Sequence, residues 1–598
     1  MNGAEYLIKF LEQKEVDIIF GYPGGKVLAL YDALYKAIEN KSRIKHILTR
    51  HEQGAIHAAE GYAQATKKTG VVFATSGPGA TNLVTGLADA MLDSVPVFAV
   101  TGQVNVSDIG HDAFQEADML GVTLSITKHN YLVRDINDLA YILESAWQIV
   151  RTGRHGPVLV DIPANIFASE MPDADNADNL NEISDIKETG EKTENRKDSE
   201  RRVRETITFE EQKEKILNLL THSFRPVILA GGGVAASKDA PELMQKFMEK
   251  YNIPCAVTLM GKSTVHMSNP LALGMAGMHG LPAANTALAK GDLIIAVGTR
   301  FSDRTIGNPK LFSQTRSIIH ADIDIAEISK NVKAGVPVVI DSAEFFRAML
   351  NDIEIPENKI PQWKEWNFEI IKEKENPDEK MVFAGKLKIR EVIRTVVEFF
   401  ENPENTENTE TCGNISYVTD VGQHQMIAAQ ETKHKTPGTF ITSGGLGTMG
   451  FGFPASIGAA FGQSDSKSKV ILFSGDGGIQ MNIQELATVR KTPVPVKIFI
   501  LDNNRLGMVR QWQKHFYGGR YSQSVLDDNP EFVTLAAAYG IKGVKISTRR
   551  ELKENIENIL KSDETVLVHV LTDPEENVYP IIPAGKSNHE MILTEEVE

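Results

Sequence analysis

The segment Gly475-Asp476-Gly477, followed downstream by Asp502-Asn503, constrains this chain more than any other feature. An amphipathic helical pattern (Ile483, Leu486, Ala487, Val489) and an apolar stretch at 496–501 lie between the two, and another apolar stretch at 470–473 precedes them. A strand–turn–helix–strand unit of this kind puts Asp476 and Asn503 at the carboxyl ends of parallel strands, where open α/β sheets bind ligands. Carboxylate and amide oxygens are hard ligands of the type Mg²⁺ takes when it also holds phosphate oxygens. The flanking glycines let backbone approach a diphosphate closely. A lone Gly-Asp-Gly is also ordinary turn chemistry; the second half of the unit favours metal plus diphosphate.

At 598 residues the chain is too long for one core, and three domains with linkers is the natural count. A net charge of −16 argues against a nucleic-acid surface. Cys255 and Cys412 are the only cysteines, so neither a disulfide framework nor a cysteine metal cluster is expected, and both read as free buried thiols. The start has no secretory or organelle-transit pattern, and no apolar stretch reaches membrane-span length. A cytoplasmic enzyme is the expectation, with no membrane partner.

Helix and strand patterns alternate over 1–168, with strands expected at 18–20, 71–74, 95–100 and 157–161. Such apolar runs between helical stretches indicate a doubly wound parallel sheet. Residues 169–207 read as a charged linker. A second α/β block covers 208–350, with strands at 227–230, 293–297 and 317–322; a connector carrying Trp363 and Trp366 spans 351–385. The third block begins at 386, contains the Gly-Asp-Gly unit and ends in a tail to 598, with a polar insertion at 401–410. The fold class is therefore α/β, with three doubly wound parallel-sheet domains.

Other runs point to a nucleotide-like cofactor. Gly231-Gly-Gly233 follows the first strand of the middle block. Arg300 and Arg304 are placed to clamp a phosphate or carboxylate, and Asp322 and Asp324 end a strand where acids hold hydroxyls. The run Gly444-Gly-Leu-Gly-Thr-Met-Gly-Phe-Gly452 is neither a P-loop nor the dinucleotide fingerprint; it leaves a backbone-lined cavity with Met449 as its one large flexible apolar group.

Several motifs are close to family-specific: Gly21-Tyr-Pro-Gly-Gly25, Ala74-Thr-Ser-Gly-Pro-Gly-Ala-Thr-Asn82, Asp112-Ala-Phe-Gln-Glu116, Thr127-Lys-His129, Leu506-Gly-Met-Val-Arg-Gln-Trp512 and the 583–591 tail. On these the chain resembles the catalytic (large) subunits of the acetolactate synthase, or acetohydroxyacid synthase, family of thiamine-diphosphate-dependent enzymes. The resemblance spans nearly the whole chain except the two charged insertions. It implies a pyrimidine-binding first domain, an FAD-binding middle domain and a third domain holding the diphosphate through Mg²⁺. It also implies a cofactor lying between the first domain of one subunit and the third of another, so that a homodimer is the least assembly, with a tetramer and a separate small regulatory subunit left open.

The implied reaction is decarboxylation of pyruvate on thiamine diphosphate, then transfer of the hydroxyethyl unit to a second pyruvate or to 2-ketobutyrate. By resemblance Glu52 activates the pyrimidine, and Lys128, Gln115 and Phe114 match active-site positions. Gln423, His424, Gly477 and Gly478 touch the diphosphate, the Gly447 carbonyl holds the amino group, and Met449 props the cofactor. Asp476, Asn503 and the Arg505 carbonyl are the implied metal ligands. FAD falls to Arg154, Gly231, Gly232, Gly277, Met278, His279, Gly280, Gly298, Arg300, Arg304, Asp322, Ile323 and Asp341. Trp512, Met508 and Arg304 shape the substrate pocket, and Met508 also borders the cofactor. Asn105 stands where many relatives have proline, and Ser302 where they have Asp. The alternative is a flavin-dependent pyruvate oxidase of the same architecture; Trp512 in its motif favours the carboligase.

Overall fold

Short apolar runs, most of them rich in β-branched or aromatic residues, build eighteen strands among the described residues, 1–172, 207–314, 316–373, 385–402, 414–463 and 468–594 of the computed structural model. The expected linker and the polar insertion fall largely outside these residues, as does Cys412; Cys255 is a free, buried thiol.

The first sheet contains β1 (Ile18–Gly21), β2 (Lys45–Leu48), β3 (Gly70–Ala74), β4 (Val97–Gln103), β5 (His129–Leu132) and β6 (Val158–Pro163), in the order β2-β1-β3-β4-β6-β5. β4 starts at Val97 rather than at 95, since Pro96 has no N–H to give a ladder. The second sheet contains β7 (Pro226–Ala230), β8 (Cys255–Val257), β9 (Ala272–Met275), β10 (Leu293–Val297), β11 (Ser317–Asp322) and β12 (Val336–Val339). The third contains β13 (Ile415–Thr419), β14 (Phe440–Ile441), β15 (Lys469–Gly475), β16 (Val496–Asp502), β17 (Lys542–Ile546) and β18 (Val566–Leu571).

The third sheet runs β14-β13-β15-β16-β18-β17, which repeats the order of the first strand for strand. The second runs β12-β11-β10-β7-β8-β9; counted from its own first strand this is the 3-2-1-4-5-6 order of dinucleotide-binding folds. Pairing is parallel in all three sheets. Helices cover both faces, which is why the central strands are continuous apolar runs rather than alternating ones. The pattern read at 483–489 is a 3₁₀ turn, Ile483–Glu485, leading into a short helix, Leu486–Lys491. Among the described residues no helix is long and apolar enough to cross a membrane.

The first and third sheets are joined by two helices in near backbone contact, Glu52–Thr66 and Gly452–Gly462. A Cβ on Gly61 would lie 2.1 Å from the Ala455 carbonyl oxygen, and one on Gly458 would lie 1.8 Å from that of Ala58. Small residues at this crossing are therefore a packing requirement.

Among the described residues, one buried ammonium has no hydrogen-bond partner. Lys262, next to the turn Leu259–Gly261, is 2% exposed and its Nζ makes no hydrogen bond. Burial lowers its pKa to about 8, against a smaller upward pull from Glu431. Because the folded value lies below the unfolded one, the unfolded chain binds more protons between them, and stability rises with pH across that window. The gap corresponds to roughly 3 kcal/mol at neutral pH. Lys262→Met is expected to raise the thermal midpoint at pH 7, with the advantage over the parent shrinking as the pH climbs from about 8 to 10.5.

Candidate active site

Asp476 opens the helix Asp476–Met481 directly after β15, and Asn503 follows β16. Adjacent parallel strands bring the two ends together. Asp476 is 1% exposed, and its Oδ2 accepts the Asn529 amide at 2.7 Å; the same amide reaches Asp502 at 3.2 Å. Burial and the Asp502 charge push Asp476 up to about 7. Burial also opposes charge on Asp502, but hydrogen bonds from His569 (2.8 Å) and the Asn504 N–H (2.9 Å) outweigh it and hold Asp502 below the usual carboxylate range. Asn503 Oδ1 accepts the Arg505 N–H at 3.0 Å, and its Nδ2 faces Gln423 Oε1 at 3.3 Å. The Arg505 backbone pairs with Val525 as an isolated bridge. A buried carboxyl group at Asp476, a second acid beside it at Asp502 and the amide oxygen of Asn503 form a donor set suited to a hard divalent cation.

The neighbouring surface suits a diphosphate. His424 is 5% exposed, its Nε2 is buried without a partner, and burial keeps the ring neutral by lowering its pKa to about 4. Gly475 gives it room, since a Cβ there would come within 3.2 Å of the ring. Gln423 donates to Gln511 at 3.0 Å and to the Glu576 carbonyl at 2.9 Å. A Cβ on Gly477 would crowd Leu506 at 2.9 Å and approach Met449 at 3.7 Å; one on Gly478 would sit 2.5 Å from Asp420. Gly447 has a φ of +74°, open to glycine at little cost.

Glu52 is the first residue of its helix, behind His51, whose Nδ1 accepts the Gln53 N–H. It is 8% exposed and accepts the Asn82 amide at 3.0 Å. Glu485, from the third block, accepts the Arg50 N–H at 3.0 Å and so fixes where this helix begins. Lys128 donates to the Thr152 carbonyl at 2.7 Å and to Ile149; burial lowers its pKa to about 8. Gln115 has a φ of +63°, and Phe114 is 84% exposed.

A cavity of about 660 Å³ opens at the carboxyl edge of the second sheet and runs to the glycine run of the third. Of the residues matched to FAD, Arg154, Gly232, Met278, His279, Gly298, Arg300, Arg304, Asp322, Ile323 and Asp341 line it; Gly447, Met449, Met508 and Trp512 line its far end. Gly231 lies just behind the lining, where a Cβ would meet the Gly298 carbonyl at 2.0 Å. Gly277 and Gly280 serve packing: a Cβ on Gly277 would strike the Arg304 carbonyl at 2.2 Å, and one on Gly280 its own turn. Asp341 caps the helix Ser342–Asn351, and Arg154 is held by Ser94 and Glu327, each at 2.8 Å. Arg304 stacks over the Trp512 ring at 5.5 Å. Glu52, Lys128, Gln115 and Phe114 are not among the cavity-lining residues of their own chain.

Three family models match along the chain: the N-terminal TPP-binding domain of thiamine pyrophosphate enzymes at 1–122, their central domain at 213–349 and their C-terminal TPP-binding domain at 420–570. The acetolactate synthase large subunit of Lactococcus lactis is 43% identical, over 99% of this chain and 96% of that protein. The chain belongs to the acetolactate synthase large-subunit family of thiamine pyrophosphate enzymes. The isozyme 2 large subunit of Escherichia coli is 41% identical over 99% of both chains, and the large subunit of Cyanidium caldarium 40% over all of this chain. As a member of the acetolactate synthase family the chain is a thiamine-diphosphate-dependent enzyme. The unpartnered His424 nitrogen and the glycine-lined surface beside Asp476 fit that group.

Sequence reasoning missed four residues of this acetolactate synthase-family site. Asp420 follows β13 and accepts the Gly450 and Gly452 N–H groups at 3.0 Å; its place at a strand end, two residues before Gly422, was a usable signal. Glu485, Asn529 and His569 gave none, because their partners lie far away in sequence.

Proposed function

We propose that this chain is the catalytic subunit of an acetolactate synthase. It decarboxylates pyruvate and joins the hydroxyethyl unit to a second 2-ketoacid, the first common step of branched-chain amino acid synthesis. Pyruvate as acceptor gives 2-acetolactate, and 2-ketobutyrate gives 2-aceto-2-hydroxybutyrate. The observation that carries the reading is the continuity of one cavity from the dinucleotide-ordered sheet to Gly447, Met449 and Trp512.

Bound thiamine diphosphate supplies the carbon centre at which the ketoacid loses carbon dioxide. Asp476, Asn503 and the Arg505 carbonyl would hold Mg²⁺; Gln423, His424, Gly477 and Gly478 would hold the diphosphate. Gly447 and Met449 would fix the opposite ring, and Glu52 would hold a proton against it. The second-sheet cleft, with its glycine approach at Gly231 to Gly298 and its acid at Asp322, suits FAD, and burial pushes Asp322 up to about 6. Arg304 and Trp512 form the mouth where an anionic acceptor enters, with Met508 beside them. Apolar walls there keep water from the reacting carbon.

Glu52 lies outside the cavity of its own chain, and Phe114 projects into solvent. Both features support a site completed by Glu52 of the partner subunit, with Lys128, Gln115 and Phe114 arriving on the same surface; a homodimer is the least assembly. The division into domains at 1–168, 208–350 and 386–598 belongs to the same reading, as do a cytoplasmic location and a separate small regulatory subunit. The test is a pyruvate and 2-ketobutyrate mixture assayed with and without thiamine diphosphate, Mg²⁺ and FAD. Both acetohydroxyacids are expected, and neither without thiamine diphosphate and Mg²⁺; rapid stoichiometric bleaching of the flavin by pyruvate without oxygen would contradict the reading.

A further inference from the structure

The glycine run beginning at Gly444 carries Gly447 and Met449; five of its nine residues, 444–452, are glycine, and its one fully buried large side chain, Phe451, lies at the far end against His57. Backbone of this kind is entropically costly to fix. Its shape is set by hydrogen bonds to buried acids at both ends. At the far end Asp420 holds the Gly450 and Gly452 N–H groups. At the near end the acids come from the first block, on the helix Val84–Asp93. Asp93 Oδ2 accepts the Gly444 N–H at 2.7 Å, and a Cβ on Gly445 would lie 2.7 Å from Asp93 Oδ1. Asp89 Oδ1 accepts the Ser443 hydroxyl at 2.6 Å, and Ser443 Oγ in turn accepts the Thr448 N–H at 2.8 Å.

Behind Asp89 lie Glu60 and His57, on the helix that starts at Glu52; all three are fully buried. Glu60 Oε1 meets His57 Nδ1 at 2.8 Å, and one oxygen each of Glu60 and Asp89 lies with a ring nitrogen inside a 4.8 Å cluster. Carboxyl groups this close share a proton, because two buried like charges repel and burial already raises both pKa values. These three groups cluster as metal ligands do. Ligand atoms of a tetrahedral cation at about 2.0–2.2 Å stand more than about 3 Å apart, and the 2.8 Å contact has the length of a hydrogen bond.

We propose that Asp89 and Asp93, backed by Glu60 and His57, are positioning residues that set the shape of the glycine run across the contact between the first and third blocks of the same chain. The inference rests on the reading that Glu52 serves the cofactor of the partner subunit. Each first block then has two tasks: its acids shape the glycine run of its own chain, and its Glu52 reaches the other. The two tasks separate in mixed dimers.

Asp93→Asn alone is expected to raise the thiamine diphosphate concentration for half-maximal activity by about tenfold, since a donor-bearing amide now faces the Gly444 and Gly445 N–H groups. At thiamine diphosphate concentrations well below the Asp93→Asn requirement, co-assembly of Asp93→Asn chains with Glu52→Gln chains builds one intact site per mixed dimer, so about a quarter of the parental activity at that concentration returns from two impaired parents at equal amounts. Met449→Ala chains mixed with Glu52→Gln chains are the reference pair. Recovery in the reference pair but not with Asp93→Asn overturns the inference and spares the reading beneath it. No recovery in either pair overturns both. Where Asp93→Asn chains do not assemble, Asp89→Asn, on the same first-block helix and facing the Ser443 hydroxyl, takes their place with the same outcomes. Parental cofactor dependence in both variants also overturns the proposal.

Discussion

Glu52→Gln is expected to lower kcat for acetolactate formation by about a hundredfold to ten-thousandfold, the range for losing a positioned proton-transfer group. The amide keeps an oxygen for the Asn82 side chain, which donates to Glu52 at 3.0 Å, and the side chain is already nearly buried. The helix start is anchored independently by Glu485 against the Arg50 N–H and by the His51 cap. Fold and cofactor affinity are therefore expected to survive while turnover falls. Steady-state kinetics at saturating thiamine diphosphate, with the thermal midpoint measured alongside, check this. A Glu52→Gln variant as active as the parent would remove Glu52 from the reaction.

Gly458→Ala carries the largest expected effect on stability. Its new methyl carbon would sit 1.8 Å from the Ala58 carbonyl oxygen, and no rotamer change moves a backbone oxygen. The helices Glu52–Thr66 and Gly452–Gly462 would have to separate, breaking the contact that fixes the first sheet against the third. Overpacking typically costs about 1–3 kcal/mol, and a clash with main chain belongs at or above the top of that range. Gly61→Ala, facing the Ala455 carbonyl at 2.1 Å, is expected to behave alike. Gly25→Ala is the control, since a Cβ there meets nothing within 4 Å. Chemical unfolding of the three variants decides the matter; equal midpoints for Gly458→Ala and Gly25→Ala would show that the crossing tolerates expansion.

The parts legible in the sequence are those that short-range pattern controls. Asp476 and Asn503 stand at the ends of apolar runs that form neighbouring strands, so pattern alone placed them together. Gly231, Gly298 and Asp322 were legible on the same principle, as ends of β7, β10 and β11. The strand order was not legible, because nothing local tells β7 that it pairs with β10 while β8 lies on its other side. Roles set by distant partners stayed hidden too: Asp93 against Gly444, Glu485 against Arg50, Asn529 between Asp476 and Asp502. Glycine was the ambiguous letter. Gly277 and Gly478 look alike in sequence, yet one makes room for the Arg304 carbonyl and the other for the Asp420 carboxyl group beside the diphosphate surface.

The most direct measurement follows pyruvate, carbon dioxide and product in one reaction with thiamine diphosphate and Mg²⁺ present. The account predicts one carbon dioxide and one 2-acetolactate for every two pyruvates consumed, and no turnover once thiamine diphosphate is withheld. Carbon dioxide released without acetolactate, with acetaldehyde or hydrogen peroxide in its place, would contradict it.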